Sequence, residues 1–323
     1  MSLVLAALLW LAVTDVLGFG SDAGIVQVTV QEDFTIDDIA DLLYENGLIK
    51  YKSLFKFYSG FSDAEEKIEP GTYELNLNFD YRAVVDGMSS RGTRVTIDVT
   101  FPEGYTMLQI FERLDEEGVC AADEMWEAAD TDFDYDFLKG LPLGDYHRLE
   151  GFLFPDTHTF YIGDSPIRVL KKLLDNFNNR FKEEYYEQAE ELGYSVHEII
   201  TVASMIEREA KTDDDRPLIA SVIYNRLGSD SYPRLEIDAT IWYAIAETGE
   251  AFSTSLNSPY NTYMAEGLPP GPISNPGLKS IQAALSPDDT DYYFYALRHD
   301  GSHKFSKTFE EHREFVSSDE YGG

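Results

Sequence analysis

The clearest hydrophobic pattern in the chain covers residues 195–211 (SVHEIITVASMIEREAK), where apolar residues recur at helical spacing and predict an amphipathic helix. At about 100° per residue, Glu207 falls in the middle of the apolar face, whereas Arg208 and Glu209 point away from it. A carboxylate in such a place is either paired with a cation or has a raised pKa, which a general acid needs near neutral pH. The apolar face consists of Val196, Ile199, Ile200, Ala203, Ile206 and Ala210.

Two roles for Glu207 follow from this position. As a structural residue it would form an ion pair, with Arg226 or Arg216 as the partner. As a catalytic residue it would be a general acid flanked by two long loops, and a loop carboxylate would complete a two-carboxylate glycosidase. The candidates for that second carboxylate are Glu150, Asp156 and Asp238.

The rest of the second half alternates between helical patterns and long loops. Ser195 and Glu198 have the spacing of a capping box, which predicts where the Glu207 helix begins. Residues 149–163 and 258–277 are rich in Gly, Pro and aromatic residues, and loops of this length in a compact domain are either binding segments or rigid crossings. Further helices are predicted at about 165–192, 214–227, 278–287 and 308–315, with a strand pair at 291–306.

The first half contains an internal repeat at an offset of 71 residues, with one copy at 28–57 and the other at 99–126. Each copy reads as a β-strand, a Thr-capped amphipathic helix, a Gly stop and the start of a second helix. Alternating residues at 71–78 and 91–101 predict two further strands. We therefore expect a small α+β region over residues 25–130.

Residues 3–19 form an apolar run in which the first charge is Asp15, and no Lys or Arg precedes them. The run is at the short end of the about 17–25 residues that span a bilayer. A signal peptide normally has a basic start and a small-residue cleavage site, and neither is clear in this segment. We therefore expect residues 1–20 to be an uncleaved membrane anchor, with a buried core helix as the alternative.

Composition excludes several classes of function. The chain has 59 acidic residues against 25 Lys and Arg, so its net charge of -34 would repel nucleic acid. A single cysteine, Cys120, rules out an intramolecular disulfide. The six histidines show no metal-binding spacing and no Gly-rich phosphate loop is present, so we expect neither a metal nor a cofactor.

Six motifs occur in a fixed order in the second half of the chain. They are EGFLFPDTHTF (150–160), TVASMIEREA (201–210), SVIYNRL (221–227), LEIDATIWYA (235–244), the thirty-residue segment 258–287 and HKFSKTFEEH (303–312). Together they resemble the endolytic murein transglycosylase family, the YceG-like membrane-bound lytic transglycosylases. The resemblance covers roughly residues 25–316.

The resemblance implies an α+β chain with an N-terminal membrane helix, LysM-like modules in residues 25–130 and a mixed α/β catalytic domain in residues 135–316. It implies a single-pass protein of the cell membrane with its catalytic domain outside the cytoplasm. The implied partners are peptidoglycan glycan strands and peptidoglycan synthases. The implied reaction cuts nascent strands between N-acetylmuramic acid and N-acetylglucosamine without water, leaves a 1,6-anhydro end and terminates elongation.

In the same family the catalytic glutamate belongs to an ASxxExE motif, which maps it onto Glu207. One carboxyl suffices for this chemistry, because the C6 hydroxyl of the sugar attacks C1 in place of water. A hydrolytic muramidase and a non-catalytic peptidoglycan-binding or scaffold protein stay open as alternatives. The other motif residues would line the glycan groove, and they are Glu150, Asp156, Thr157, Asn225, Arg226, Asp238, Tyr260, Asn261, Thr262 and Asn275.

Overall fold

The computed structural model of the chain describes residues 2–18, 24–89, 94–246 and 248–322. Both of its compact units combine helices with two-stranded sheets, as the predicted α+β class requires. The domain boundaries predicted at 25–130 and 135–316 stay a prediction. Unit 1 comprises Met1–Val99, Arg113–Met125 and His158–Val169, and unit 2 comprises Thr100–Glu112, Trp126–Thr157 and Leu170–Gly323.

The first helix, α1 (Ser2–Val16), is held to the rest of unit 1 by one buried carboxylate. Asp15 accepts hydrogen bonds from the backbone amides of Lys50 (2.8 Å) and Tyr51 (3.1 Å) and from the Tyr81 hydroxyl. Within the described ranges, no helix combines the length and the apolar character that crossing a membrane requires. The single-pass helix expected at residues 1–20 is therefore not found, and residues 19 and 20 of that prediction lie outside the described residues.

The repeat has the predicted strand–helix–helix order in both copies, and each copy is followed by a second strand. The elements are β1 (Ile25–Val30), α2 (Ile36–Glu45), α3 (Lys52–Ser62), α4 (Ala64–Lys67), β2 (Gly71–Asn76), α5 (Tyr81–Gly87), β3 (Thr96–Thr100), α6 (Met107–Glu116), α7 (Ala122–Ala129) and β4 (Thr157–Tyr161). Strand β1 pairs antiparallel with β2, and β3 pairs with β4. Residues 91–93 of the strand predicted at 91–101 lie outside the described residues.

The core of unit 1 forms where α2, α3 and α5 cover the β1–β2 ribbon. Leu43, Phe55, Tyr73, Leu75 and Tyr81 are all fully buried there. The rings of Phe55 and Tyr81 meet edge to face with 5.4 Å between their centroids. Since a two-stranded ribbon is at best marginally stable alone, the helices supply most of the apolar burial.

Unit 2 contains most of the helices predicted for the second half of the chain. The one predicted at 165–192 is in fact two helices, because the residue after buried Phe181, Lys182, adopts an extended conformation and begins a new helix. Helix α12 was not predicted. The elements are α8 (Pro166–Arg180), α9 (Glu183–Leu192), α10 (Val196–Glu209), α11 (Asp215–Leu227), α12 (Asp238–Ala246), α13 (Leu278–Leu285), β5 (Phe294–Leu297), β6 (His303–Ser306) and α14 (Phe309–Val316).

Helix α10 is the centre of unit 2, because all eight consecutive residues from Ile199 to Ile206 are buried. The capping box of Ser195 and Glu198 at its start is confirmed. The predicted loop at 258–277 contains neither helix nor strand, and its last part lies along α10. There the Ile273 amide donates to Ser204 Oγ (3.0 Å), and the Ser274 hydroxyl donates to the Ser204 carbonyl (3.3 Å).

Gly151 lies where the 149–163 loop crosses α10. Its φ is +88°, and an added Cβ would lie 2.6 Å from Ile200 Cγ2 and 2.7 Å from Pro272 Cβ. A side chain at this position would therefore be strained by the backbone and would also clash with the core. This close approach explains why a glycine occupies the crossing.

We expect Gly151→Ala to lower the free energy of unfolding by about 2–4 kcal/mol, since backbone strain and overpacking add. Gly144→Ala is the matched control, because Gly144 has a similar φ of +82° and an added Cβ would meet no described atom within 4 Å. Gly144→Ala should lower the free energy of unfolding by about 1 kcal/mol. Urea unfolding of both variants measures the difference, and equal losses would show that the crossing is not tightly packed.

Candidate active site

A cavity of about 610 Å³ lies beside the C-terminal end of α10. Its walls come from α10, α11, α12, the β5–β6 hairpin and α14, all within unit 2. The volume falls in the range of about 300–1,000 Å³ that is usual for ligand pockets. The polar side chains in its wall include Glu209, Arg226, Asp238, Tyr263, Tyr295 and His303.

Glu209, the last residue of α10, carries the most perturbed carboxyl group of this cavity. Its Oε2 accepts a hydrogen bond from the Tyr295 hydroxyl (3.2 Å), and the Ala239 amide also donates to the carboxylate. Burial raises the pKa of Glu209 and the charge of Asp238 raises it further, which outweighs the lowering by Tyr295, His303 and Ala239. A carboxyl that holds its proton closer to neutral pH is what a general acid requires.

The β5–β6 hairpin supplies the tyrosine that contacts the Glu209 carboxyl. Burial raises the pKa of Tyr295 well above its usual value, so its hydroxyl donates to Glu209 at neutral pH. His303 Nδ1 lies 2.9 Å from Asp215 Oδ2, and the His303 amide donates to the same oxygen (3.2 Å). The rings of His303 and Tyr295 meet edge to face. These contacts of His303 with Asp215 thus join the hairpin to α11 and hold the tyrosine in place.

Glu207 does not line this cavity, and its side chain is only 7% exposed. Its Oε2 accepts hydrogen bonds from the Gly277 amide (3.0 Å) and the Ser280 hydroxyl (2.8 Å), and lies 3.4 Å from Arg216 Nη1. Gly277 and Ser280 belong to the N-terminal end of α13, where the helix dipole favours a negative charge. Glu207 is therefore a paired carboxylate that joins the end of α10 to the start of α13.

The partner of Glu207 is Arg216, one of the two arginines predicted, and the prediction of Arg226 as that partner is wrong. Arg226 instead lies 3.0 Å from Glu236 and donates to the Tyr293 carbonyl at 2.6 Å. These contacts hold Arg226 in the cavity wall. Nothing in the sequence distinguishes the two arginines, because the choice depends on how α11 packs against α10.

Glu103 completes the cluster around Glu207. Burial raises the pKa of Glu103, and the charge of Glu207 raises it further. The carboxyl lies so close to Gly277 that an added Cβ there would come within 1.9 Å of Glu103 Oε1. Gly277 thus permits the close packing of two carboxyl groups against the start of α13.

Of the residues predicted to bind substrate, Arg226 and Asp238 line the main cavity. Asp238 accepts a hydrogen bond from the Tyr263 hydroxyl at 2.6 Å. Glu150 and Tyr260 line a separate small cavity of about 80 Å³. Glu150 is almost fully buried and accepts a hydrogen bond from the Met107 amide at the start of α6 (3.0 Å).

Four other predicted residues are buried supports for loops and do not line the main cavity. Asn261 donates to the Thr254 and Leu256 carbonyls, and Thr262 accepts from the Ile237 amide. Asn275 accepts from the Leu153 amide (2.8 Å) and donates to the Tyr105 carbonyl (3.0 Å). Half-buried Asn225 acts in the same way, since its amide donates to the Thr290 and Tyr292 carbonyls. These four side chains are Asn225, Asn261, Thr262 and Asn275.

The last two predicted groove residues, Asp156 and Thr157, lie elsewhere in the fold. Asp156 forms an ion pair with Arg180 (2.8 Å), and its pKa is lowered by hydrogen bonds from Thr157, Asn176 and Arg180. The Thr157 and Thr100 hydroxyls lie 2.8 Å apart. Asp156 does not line the main cavity, and its pairing with a catalytic glutamate stays a prediction.

Sequence reasoning missed Glu209, Tyr295 and His303 as site residues. The helical phase of Glu209 points it away from the apolar face, which reads as solvent exposure. The surface on that side is instead enclosed by later segments of the chain, from α11 to α14. One signal was present, since the second acidic position of the ASxxExE motif is Glu209 itself.

The comparisons with known proteins agree with one another. The YceG-like family profile matches residues 28–318. An endolytic murein transglycosylase of Bacillus subtilis (strain 168) is 33% identical over 305 residues, covering 89% of this chain and 82% of the relative. A protein of the same name from Streptococcus pneumoniae serotype 2 is 28% identical over 317 residues, covering 89% and 57%. A crystal structure of a YceG-like protein from Listeria monocytogenes has a TM-score of 0.59 at 31% identity and covers 91% of this chain and 100% of that chain.

We expect Glu209→Gln to raise the melting temperature near pH 8, because the folded protein no longer has to bury a charge. The pKa of folded Glu209 is raised above the unfolded value of about 4.3, so the charged form destabilises the fold at pH values above the folded pKa. This penalty disappears below the unfolded pKa, so the gain should shrink as the pH falls towards about 4. Thermal unfolding at several pH values measures the effect.

Glu207→Gln is the matched control, since it removes a carboxylate two residues earlier on the same helix. Because Glu207 is paired with Arg216, its loss should lower the stability by about 1–3 kcal/mol. Changes of the same sign in the melting temperatures of the two variants near pH 8 would contradict the distinction between a carboxylate paired with an arginine and one without such a partner.

Proposed function

The chain belongs to the YceG-like family, and on this premise we propose that it is an endolytic murein transglycosylase, a lyase that cuts peptidoglycan glycan strands. The bond cut is the one between N-acetylmuramic acid and N-acetylglucosamine. The observation that carries the proposal is the Glu209 carboxyl, whose pKa is raised in a cavity of ligand size. Carboxyl groups whose pKa is raised in a polar cavity are typical of acid–base sites.

In this proposal Glu209 is the general acid. Protonated Glu209 gives its proton to the glycosidic oxygen as the bond from that oxygen to C1 of the muramic acid breaks. The Tyr295 hydroxyl and the Ala239 amide donate to the resulting carboxylate and stabilise it. The carboxylate of Asp238, in the same cavity, faces the positive charge that develops at C1.

Glu209 then acts as the base. The C6 hydroxyl of the same sugar attacks C1 and forms the 1,6-anhydro bond, and its proton returns to Glu209. The carboxyl ends in its starting state, and no water is consumed. One carboxyl group therefore accounts for both proton transfers.

The role proposed for Glu207 is positioning. Its contacts with Arg216 and with the start of α13 support this role, because they would hold the last turn of α10 in place. The assignment of the acid to Glu207 from the motif stays a prediction, and paired substitutions decide between the two glutamates. A hydrolytic muramidase is the second candidate, because Asp238 and Glu209 line one cavity and a second carboxylate would activate water.

The strand–helix–helix units of the repeat support a LysM-like role in holding glycan. We infer membrane attachment on the outer face of the cytoplasmic membrane through α1, since several of its apolar side chains are exposed. Trp10 is 69% exposed, Leu11 48% and Val13 46%. A peptidoglycan synthase is the partner expected from the termination of nascent strands, and co-purification from membranes would identify it.

Glu209→Gln should lower the release of anhydro-ended muropeptides by about 10³-fold, since the amide can neither give nor take the proton. Glu207→Gln should still release these products, and the amount released should fall by about tenfold or less. Mass spectrometry of digested peptidoglycan measures both, and it separates lytic products from hydrolytic ones because hydrolysis adds one water.

Each result has a defined meaning. Loss of activity in Glu207→Gln with activity kept in Glu209→Gln would return the acid role to Glu207. Products with reducing ends would establish the muramidase. A wild-type protein that binds peptidoglycan but releases no fragments would establish the non-catalytic scaffold.

Membrane attachment predicts that the protein floats with vesicles of zwitterionic phosphatidylcholine, since its net charge of -34 would repel an anionic surface, and that Trp10→Asp with Leu11→Asp abolishes flotation. These changes leave Asp15 and its contacts intact. Phe57→Asp with Phe61→Asp is the control, since both rings are more than half exposed in unit 1 but lie on α3. Equal flotation of the α1 variant and the control would contradict attachment through α1.

A further inference from the structure

A second cavity of about 270 Å³ lies next to the main cavity in unit 2. The two cavities share three residues at their junction, Arg208, Ala239 and Trp242. The second cavity then extends along α12 towards Tyr243 and Ala246 and along α6 towards Leu108. Trp242 and Arg208 therefore belong to the walls of both cavities, next to the one that contains Glu209.

Trp242 is exposed as an aromatic platform at this junction. Its side chain is 55% exposed although it lies next to two cavities. The ring is supported by Phe252, with 4.9 Å between centroids and 34° between the planes. Trp242 lies four residues after Asp238 on α12, so both side chains are on one face of the helix.

Arg208 is a second residue that lines both cavities, and its side chain has one hydrogen-bond partner in unit 2. Its Nη1 donates to the Gly104 carbonyl at 3.3 Å, and Gly104 itself packs against the stems of Glu207 and Arg208. A guanidinium group has five N–H donors, so further donors are left for a ligand. An aromatic face and a donor group in the wall of the same cavity suit a sugar ring, which has an apolar face and hydroxyls on its edge.

We propose that Trp242 and Arg208 form a saccharide-binding subsite next to the sugar that reacts at Glu209, with the ring stacked on Trp242 and its polar edge facing Arg208. This inference rests on the proposed function, because it takes the glycan strand as the ligand of the main cavity. The subsite holds a sugar that does not react, so its contribution is to binding and not to proton transfer. Removing it should therefore raise KM and leave kcat nearly unchanged.

The test compares Trp242→Ala with Trp242→Phe on peptide-free glycan strands. The alanine variant should raise KM about tenfold with kcat within about threefold, and the phenylalanine variant should recover most of the loss because it keeps an aromatic face. Phe61→Ala is the matched control, since Phe61 is 74% exposed and lies in unit 1. An unchanged KM in Trp242→Ala, or an equal effect of the control, would overturn the subsite.

A binding experiment separates this inference from the proposed function. In the Glu209→Gln background, calorimetry with a tetrasaccharide of alternating N-acetylglucosamine and N-acetylmuramic acid should show about tenfold weaker binding after Trp242→Ala. Arg208→Ala should also weaken binding, whereas Arg208→Lys should weaken it less because a cationic donor stays. Equal affinity with and without Trp242 would overturn the subsite even where catalysis is established. Weaker binding without catalysis in the wild type would overturn the proposed reaction and leave the subsite standing.

Discussion

The polar seam between α10 and the segment 273–280 is the contact on which the rest of unit 2 depends. Ser204, in the buried middle of the helix, accepts from the Ile273 amide through its hydroxyl and from the Ser274 hydroxyl through its carbonyl. Three residues further on, less than one helical turn, Glu207 accepts from the Gly277 amide. Because buried backbone groups must be paired, these bonds allow an irregular loop to pack against a helix that is buried on every side. The loop thereby positions the start of α13 next to the end of α10.

That seam explains why two carboxylates two residues apart on one helix have different properties. Glu207 meets an arginine and the positive end of α13, both of which stabilise its charge. Glu209 turns to the other side of the helix, where burial and the charge of Asp238 raise its pKa and its hydrogen-bond donors are a tyrosine and one amide. The sequence places both groups at the same helix end, but their surroundings decide which one favours the protonated form.

Much of the fold is readable from the sequence because it is local. Helix α10 with its capping box, α11, α13 and the β5–β6 hairpin all follow from periodicity and capping residues. The break between α8 and α9 was missed, since Phe181 and Lys182 carry no strong helix-stop signal and the break depends on tertiary packing around Phe181. The membrane helix expected in residues 1–20 was inferred from an apolar run alone. The run does not reveal that Asp15 is buried and accepts a hydrogen bond from the Lys50 amide.

The candidate site is harder to read because its walls come from distant segments. The prediction that Glu207 is buried is correct, although its carboxylate contacts polar groups, but a helical wheel cannot show that the opposite side of α10 is also enclosed. That enclosure comes from α11, α12, the hairpin and α14, which together form a polar wall. Burial on an apolar face leads to pairing, since a charge there must be compensated, whereas burial in a polar cavity leaves a carboxyl open to a ligand. For a glutamate on a helix in such a fold, the chemistry is therefore decided less by its own helical phase than by which neighbours close the cavity around it.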